Sequence, residues 1–340
     1  MEAMIRVVVD DPSQVGSARR AVVSLARAAG LDDSDAGRAA TVATELGTNL
    51  VKHAVPGGEL LARQADDEVP TVEIVALDRG PGGDRPMDWL SDGFTTAGSA
   101  GTGLGAVDRA ADVFEIVSAA GAGTAALARI VRGGRPAGTV RRPGSAAKRT
   151  VVGGVSVPVD GEIHNGDAWS SRREGPGMAI VVADGLGHGE EAARASRAAI
   201  ETFERAPLDD LVELLQRMDG RLHSTRGAAV AIAWLDPTRS SVRYAGIGNI
   251  SATIASSQGT RSLVSVNGTV GQGGARPREL TEPLPRDAVF VMHSDGAKSH
   301  WTLDAYPGLA RRQPTLVSAV LYRDHRRQRD DVTIVAARVP

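Results

Sequence analysis

The chain has 340 residues, a length that fits two domains better than one. Its 42% hydrophobic and 24% charged content is that of a globular protein, and a formal net charge of -2 gives no global pull toward nucleic acid or anionic membrane. With no cysteine, disulfides, thiolate catalysis and cysteine-based zinc sites are excluded. There is no run long enough to cross a bilayer and no signal-peptide layout at MEAMIRVVVDD, so the expected location is the cytoplasm, without a membrane or nucleic-acid partner.

Ile5 to Val9 reads as a short strand. Ser13 is placed to cap a helix running to about Ala29, and Ser34 a second one running to Ala54, stopped by Pro56-Gly57-Gly58. Within the second helix Glu45, Asn49 and His53 are each four apart and share one face. A carboxylate beside an amide suits a general base and a magnesium ligand, though the same spacing also marks a solvated face. Gly47 in mid-helix costs about 1 kcal/mol against alanine, which points to close packing or ligand approach. The strand Thr71 to Leu77 ends in Asp78-Arg79-Gly80-Pro81-Gly82-Gly83. A polar stretch then runs to Ala100, and Gly101-Thr102-Gly103-Leu104-Gly105 opens a helix over 106–111. Glycines before a helix let backbone N–H groups reach phosphate oxygens. Two strands, Val113 to Ser118 and Thr124 to Val131, close the unit as a hairpin.

These segments resemble the GHKL (Bergerat) ATP-binding fold, in particular the serine-kinase anti-sigma factors of the RsbT and RsbW type. Glu45 and Asn49 match the family's N-box, Asp78 to Gly82 its first glycine box, Gly101 to Gly105 its second, and Gly123-Thr124 its final glycine-threonine pair. The resemblance implies an α/β sandwich over residues 1–132 that binds ATP with Mg2+. Asp78 would hold the adenine amino group and Asn49 the magnesium ion. Gly80, Gly82, Gly101, Gly103, Gly105 and Thr124 would line the nucleotide, residues 83–100 would form its lid, and Glu45 would act as base toward the hydroxyl that accepts phosphate.

Residues 133–150 have linker composition, with five Arg and Lys after Gly134 and no interleaved aromatic residue. Beyond them, strand-like Val151 to Pro158 precedes Asn165-Gly166-Asp167, an acid at a turn. The apolar run Met178 to Ala183 breaks at Asp184-Gly185-Leu186-Gly187-His188-Gly189, ahead of two helices, 190–205 and 208–223. Strands follow over 228–235, 241–245, 251–255 and 288–293, the last running into Ser294-Asp295-Gly296. A helical stretch around 314–322 and Arg329-Asp330-Asp331 come before a closing strand over 332–337. An acid recurs at a strand end or turn, and a pair of hard divalent cations held by such acids can activate water and clamp a phosphoryl group.

This half resembles the PPM metal-dependent protein phosphatases of the small bacterial SpoIIE and RsbX type, which implies an α-β-β-α sandwich over residues 151–340. By that resemblance Asp167, Asp184, the Gly185 carbonyl, Asp295 and Asp330 would hold Mn2+ or Mg2+, with Asp184 and Asp295 central to catalysis and Asp331 ranking behind Asp330. Gly246-Ile247-Gly248-Asn249 is similar to the family's glycine-asparagine turn. Two features depart from the pattern. The phosphate-binding arginine of the larger eukaryotic enzymes has no match, and 297–301 lacks the usual acidic residue. His188 and His293 adjoin the acids, but oxygen-rich sites seldom recruit imidazole. Together the two halves predict an α+β fusion that acts as a partner-switching regulator. Its phosphatase would dephosphorylate a STAS-domain anti-sigma-factor antagonist, and its kinase-like half would bind or phosphorylate such a protein or a sigma-factor regulator. The alternative is an ATP-dependent binding module whose kinase half is inactive.

Overall fold

The computed structural model describes residues 4–65, 68–90, 103–134 and 149–340. They fall into two compact units, one on either side of the 135–148 stretch. Gly101, most of the expected lid and most of the linker lie outside the described residues. No described helix is long and apolar enough to cross a membrane.

The first unit is one antiparallel sheet with helices against one face. Its strands are Ile5–Val9 (β1), Gly58–Ala65 (β2), Thr71–Asp78 (β3), Val113–Ser118 (β4) and Thr124–Val131 (β5), in the order β1-β2-β3-β5-β4. Of these, β2 is additional to the strands expected from sequence. The helices are Pro12–Ala28 (α1), Asp33–His53 (α2) and Gly103–Ala110 (α3). Alanine, valine and leucine at helical spacing, among them Ala18, Val22, Leu46 and Leu50, bury against Leu60, Ile74 and Ile130 from the sheet. The caps of α1 and α2 stand just ahead of Ser13 and Ser34. Asp11 caps α1 by accepting the Ser13 N–H at 2.9 Å, with Gln14 closing a capping box, and Asp32 caps α2 through the Asp35 N–H. A carboxylate also favours the helix dipole, so it outcompetes the nearby hydroxyl. Gly47 serves packing: a β-carbon there would lie 3.3 Å from Val15 on α1.

An arginine hub ties the last strand to the helices. Arg38 donates to Asp35 and Asp112 at 2.7 and 2.9 Å and to the carbonyls of Ala110 and Val131, while Asp35 and Asp112 accept the N–H groups of Gly133 and Val131. Burial disfavours the Asp35 charge, but Arg38 and the Gly133 N–H outweigh it and hold its carboxyl below the usual range. Arg38→Met should therefore strand the buried Asp35 and the half-buried Asp112 and cost about 3–5 kcal/mol, measured as a lowered denaturant midpoint for the unit.

The second unit stacks two five-stranded sheets between helices. Its strands are Val151–Val157 (β6), Asp167–Glu174 (β7), Gly177–Gly185 (β8), Ala228–Asp236 (β9), Ser241–Ile247 (β10), Ser251–Ser256 (β11), Gly259–Leu263 (β12), Leu280–Pro283 (β13), Val289–His293 (β14) and Val332–Arg338 (β15). One sheet runs β13-β10-β9-β8-β7, the other β12-β11-β14-β15-β6, with every pairing antiparallel. Trp169, Val182, Tyr244, Phe290 and Val335 fill the space between the sheets. Helices Glu190–Arg205 (α4) and Leu211–Leu222 (α5) cover the outer face of the first sheet through Phe203, Leu215 and Met218. Pro314–His325 (α6) packs on β6 and β15 of the second. This is the four-layer α-β-β-α order expected from sequence. In this unit β7, β12 and β13 are additional to the expected strands, and Asp167 opens β7 instead of occupying a free turn.

Candidate active sites

In the first unit the described members of the expected nucleotide site fall into two local groups. Glu45 and Asn49 lie half-buried on the face of α2 that meets the start of α3, and a β-carbon at Gly103 would stand 3.3 Å from Glu45 Oε2 and 3.4 Å from Asn49 Oδ1. The N-box and the described part of the second glycine box thus stand side by side. Asp78 closes β3, and its Oδ1 accepts the N–H groups of Gly80 at 2.8 Å and Thr124 at 3.2 Å. That fixes one carboxylate oxygen and joins the first glycine box to β5. Gly82 has φ +57°, and a β-carbon there would lie 2.1 Å from the Ala119 carbonyl, so the turn admits only glycine. Ser118 is a participant that sequence reading omits. Its hydroxyl accepts the Gly83 N–H at 3.0 Å and meets Thr124 Oγ1 at 3.0 Å, tying the glycine box to the hairpin. Gly105 sits buried in the first turns of α3, whereas His53 is exposed in the last turn of α2.

In the second unit, acids from both sheets meet at one end of the sandwich. Asp167 at the start of β7 and Asp184 at the end of β8 are direct cross-strand partners. Asp295 follows β14, and Asp330 precedes its neighbour β15. The acids lie in two pairs, Asp167 with Asp184 and Asp295 with Asp330, and both members of the second pair act on Asp184. Burial, then repulsion from Asp295, Asp330 and Asp331, pushes the Asp184 carboxyl up to about 7. Asp167 is raised well above the usual range by its burial and by Asp184. Burial and Asp330 raise Asp295.

Hydrogen bonds aim these groups. Ser294 Oγ donates to Asp167 Oδ2 at 2.6 Å, bridging the sheets, and itself accepts the Thr333 N–H at 3.0 Å. Asn249, in the glycine-asparagine turn, donates to Asp295 Oδ2 at 2.7 Å. Gly185 is forced by α4, since a β-carbon there would lie 2.1 Å from the Ala192 carbonyl. Asp331 does other work: its two oxygens accept the N–H groups of Val159 and Gly166, both at 2.8 Å.

Among the described residues no three acid or histidine side chains form a closed ligand cage. The donor chemistry nevertheless fits a hard divalent cation: the converging groups are all carboxylate oxygens, held near one another against mutual repulsion. Neither histidine joins them. His293 is buried, its Nδ1 donates to the Ser294 carbonyl at 2.8 Å, and burial lowers its pKa. His188 is exposed and pairs with Glu162 at 2.7 Å. Where the usual acid after Asp295 is missing, Lys298 and Gly296 are instead stapled to the end of α6, through Lys298 N to the His325 carbonyl and Arg327 N to the Gly296 carbonyl.

Comparison with known proteins resolves the two units separately. The family model described as histidine kinase-like ATPase domain matches residues 8–130, and that of stage II sporulation protein E (SpoIIE) matches 174–340. Among curated proteins the chain is similar to the serine/threonine-protein kinase RsbT of Bacillus subtilis (strain 168), 34% identical over 108 residues, 32% of this chain and 81% of the relative. It is also similar to the phosphoserine phosphatase RsbX of the same organism, 23% identical over 132 residues, 38% of this chain and 66% of RsbX. A solved chain of the bacterial stressosome, described as a modular system adapted to control secondary messenger signaling, is 30% identical with a TM-score of 0.52, covering 56% of this chain and 100% of the other.

Proposed function

Because the chain belongs to the RsbT-like histidine kinase-like ATPases in its first unit and joins that domain to a SpoIIE-type protein phosphatase in its second, we propose a bifunctional partner-switching regulator. The phosphatase half releases phosphate from phosphoserine or phosphothreonine on a STAS-domain anti-sigma-factor antagonist. The single observation behind this reading is that carboxylates of both sheets converge on Asp184.

Asp167, Asp184, the Gly185 carbonyl, Asp295 and Asp330 would hold Mn2+ or Mg2+. A bound ion of this kind lowers the pKa of water and offsets phosphoryl charge. Ser294 keeps Asp167 turned toward Asp184, and Asn249 leaves Asp295 one oxygen not used by the amide. The Ser294 hydroxyl beside the acids is fully buried and already held by Asp167 and the Thr333 N–H, which favours direct attack by water over a phosphoenzyme. The test is manganese-dependent phosphate release from a phosphoserine STAS protein; no release over a panel of such proteins, with or without metal, would sink the reading.

The kinase-like half would bind ATP with Mg2+: Asp78 would hold the adenine, Asn49 the ion, and Gly80, Gly82, Gly101, Gly103, Gly105 and Thr124 would line the nucleotide. Glu45, which lies beside Gly103, would take the proton of an incoming serine hydroxyl. Glu45→Ala should cut phosphoryl transfer from labelled ATP to a STAS protein by about 100-fold or more, with nucleotide affinity retained. A wild-type chain that binds its partner and ATP yet transfers nothing would instead mark a binding module.

A further inference from the structure

A guanidinium stands over the Asp184 loop with no counter-charge among the described residues. Strands β8 and β9 pair Asp184 with Ala229 and Gly185 with Ala228. The same register, carried on into the loop, sets Arg226 opposite Gly187. The side chain follows the register: a β-carbon at Gly187 would lie 3.3 Å from Arg226 Nη1. Gly187 has φ +87°, so the loop favours glycine there on two counts, its backbone and the arginine above it.

The arginine's backbone is firmly seated while its side chain is open to solvent. The Thr225 hydroxyl donates to the Leu222 carbonyl at 2.7 Å and accepts the Gly227 N–H at 3.0 Å. The Leu186 N–H donates to the Gly227 carbonyl at 3.0 Å, binding this turn directly to the Asp184 loop. Arg226 itself is exposed, and among the described residues its guanidinium has no carboxylate or carbonyl partner. The charged groups around it are already engaged. Glu162, which borders the same loop at Gly189, is paired with His188. Arg194 donates to the Ser224 carbonyl and pairs with Glu191.

An uncommitted guanidinium, anchored at its backbone beside a phosphate-processing site and reachable from solvent, is a site for an anion. Its planar fork matches two phosphoryl oxygens, and its charge offsets the repulsion a phosphate dianion meets beside four acids. We propose that Arg226 binds the non-bridging oxygens of the substrate's phosphoryl group, supplying from the β9 side the cation for which the sequence has no match to the larger enzymes. This inference rests on the phosphatase reading for its substrate but not for its anion.

The test uses the full-length chain and three variants: Arg226→Gln, Arg226→Lys and, as a control with the same charge loss, Arg217→Gln, whose arginine pairs with Glu213 on the solvent face of α5. Inorganic phosphate is titrated in Mg2+ buffer by 31P NMR, and kcat and KM are measured on a phosphoserine peptide. Arg226→Gln should weaken phosphate binding and raise KM by about 10-fold or more with kcat changed far less. Arg226→Lys should fall between, and Arg217→Gln should match wild type. Weakened phosphate binding in a chain that turns over no phosphoserine would uphold the anion site and remove the phosphatase reading. Unchanged phosphate affinity in Arg226→Gln would overturn the inference, whatever the turnover.

Discussion

Asp184→Asn should abolish metal-dependent phosphate release, by at least about 1,000-fold, and at the same time stabilise the metal-free protein near neutral pH. The two effects come from one cause. Asp184 is withdrawn from solvent and faces the charges of Asp295, Asp330 and Asp331, so its ionised form is disfavoured and its carboxyl is pushed up from 3.8 to about 7. A carboxyl raised in this way binds a proton in the folded state that the unfolded chain has already released. Stability from this group is therefore present in full below about 4 and lost as pH rises through the interval from 3.8 to 7. Across that interval the loss amounts to a few kcal/mol, on the order of 1.4 kcal/mol for each pH unit crossed. Metal-free wild type should then melt at lower temperature at pH 8 than at pH 5, beyond any change common to the variant, and Mn2+ should restore it. The asparagine variant should show a flatter pH profile and little response to Mn2+. Differential scanning calorimetry across pH 4–8, with and without chelator, measures all of this. A variant that melts below wild type at pH 8 and still gains stability from Mn2+ would contradict a metal role for Asp184.

The acids themselves were legible because each breaks an apolar run: 178–183 ends at Asp184, 289–293 leads to Asp295, and Asp330 stands before 332–337. Which acids become partners depends on strand register, and the pairing of Asp167 with Asp184 requires β7, a segment whose Arg172, Arg173 and Glu174 hide its strand character. The first unit gives the same lesson at β2. Its Arg63 looks wrong for a buried strand until the register sets it against Glu73, which in turn faces Arg129 across the next pairing. Charge neutralised across paired strands leaves no periodic signal. Ser294 and Ser118 escape sequence reading for a similar reason: their hydroxyls act on residues 127 and 35 positions away, Asp167 and Gly83. The first glycine box and the Asp184 turn, by contrast, carry their own geometry, since Gly82 and Gly185 have no room for a side chain.

Adjacent in sequence, Asp330 and Asp331 should behave as opposites. Asp330 faces Asp295 in the acid cluster, so Asp330→Asn removes one member of a repelling pair and, on the proposed reading, one oxygen ligand. It should fold at least as well as wild type and lose Mn2+ affinity by about 10-fold or more. Asp331 is nearly inaccessible, with both oxygens spent on the backbone N–H groups of Val159 and Gly166. Those bonds hold the loop between β6 and β7 that delivers Asp167, and a β-carbon at Gly166 would itself lie 2.6 Å from Asp331 Oδ2. Asp331→Ala leaves two N–H groups without their acceptor, at a cost of about 2–5 kcal/mol, and should lower activity chiefly through loss of folded protein. Asp331→Asn keeps the shape and one acceptor oxygen, so it should recover part of that stability. Urea melts beside Mn2+ titrations separate the pair. If Asp331→Asn loses metal affinity while Asp330→Asn keeps it, the assignment of ligand and brace is reversed.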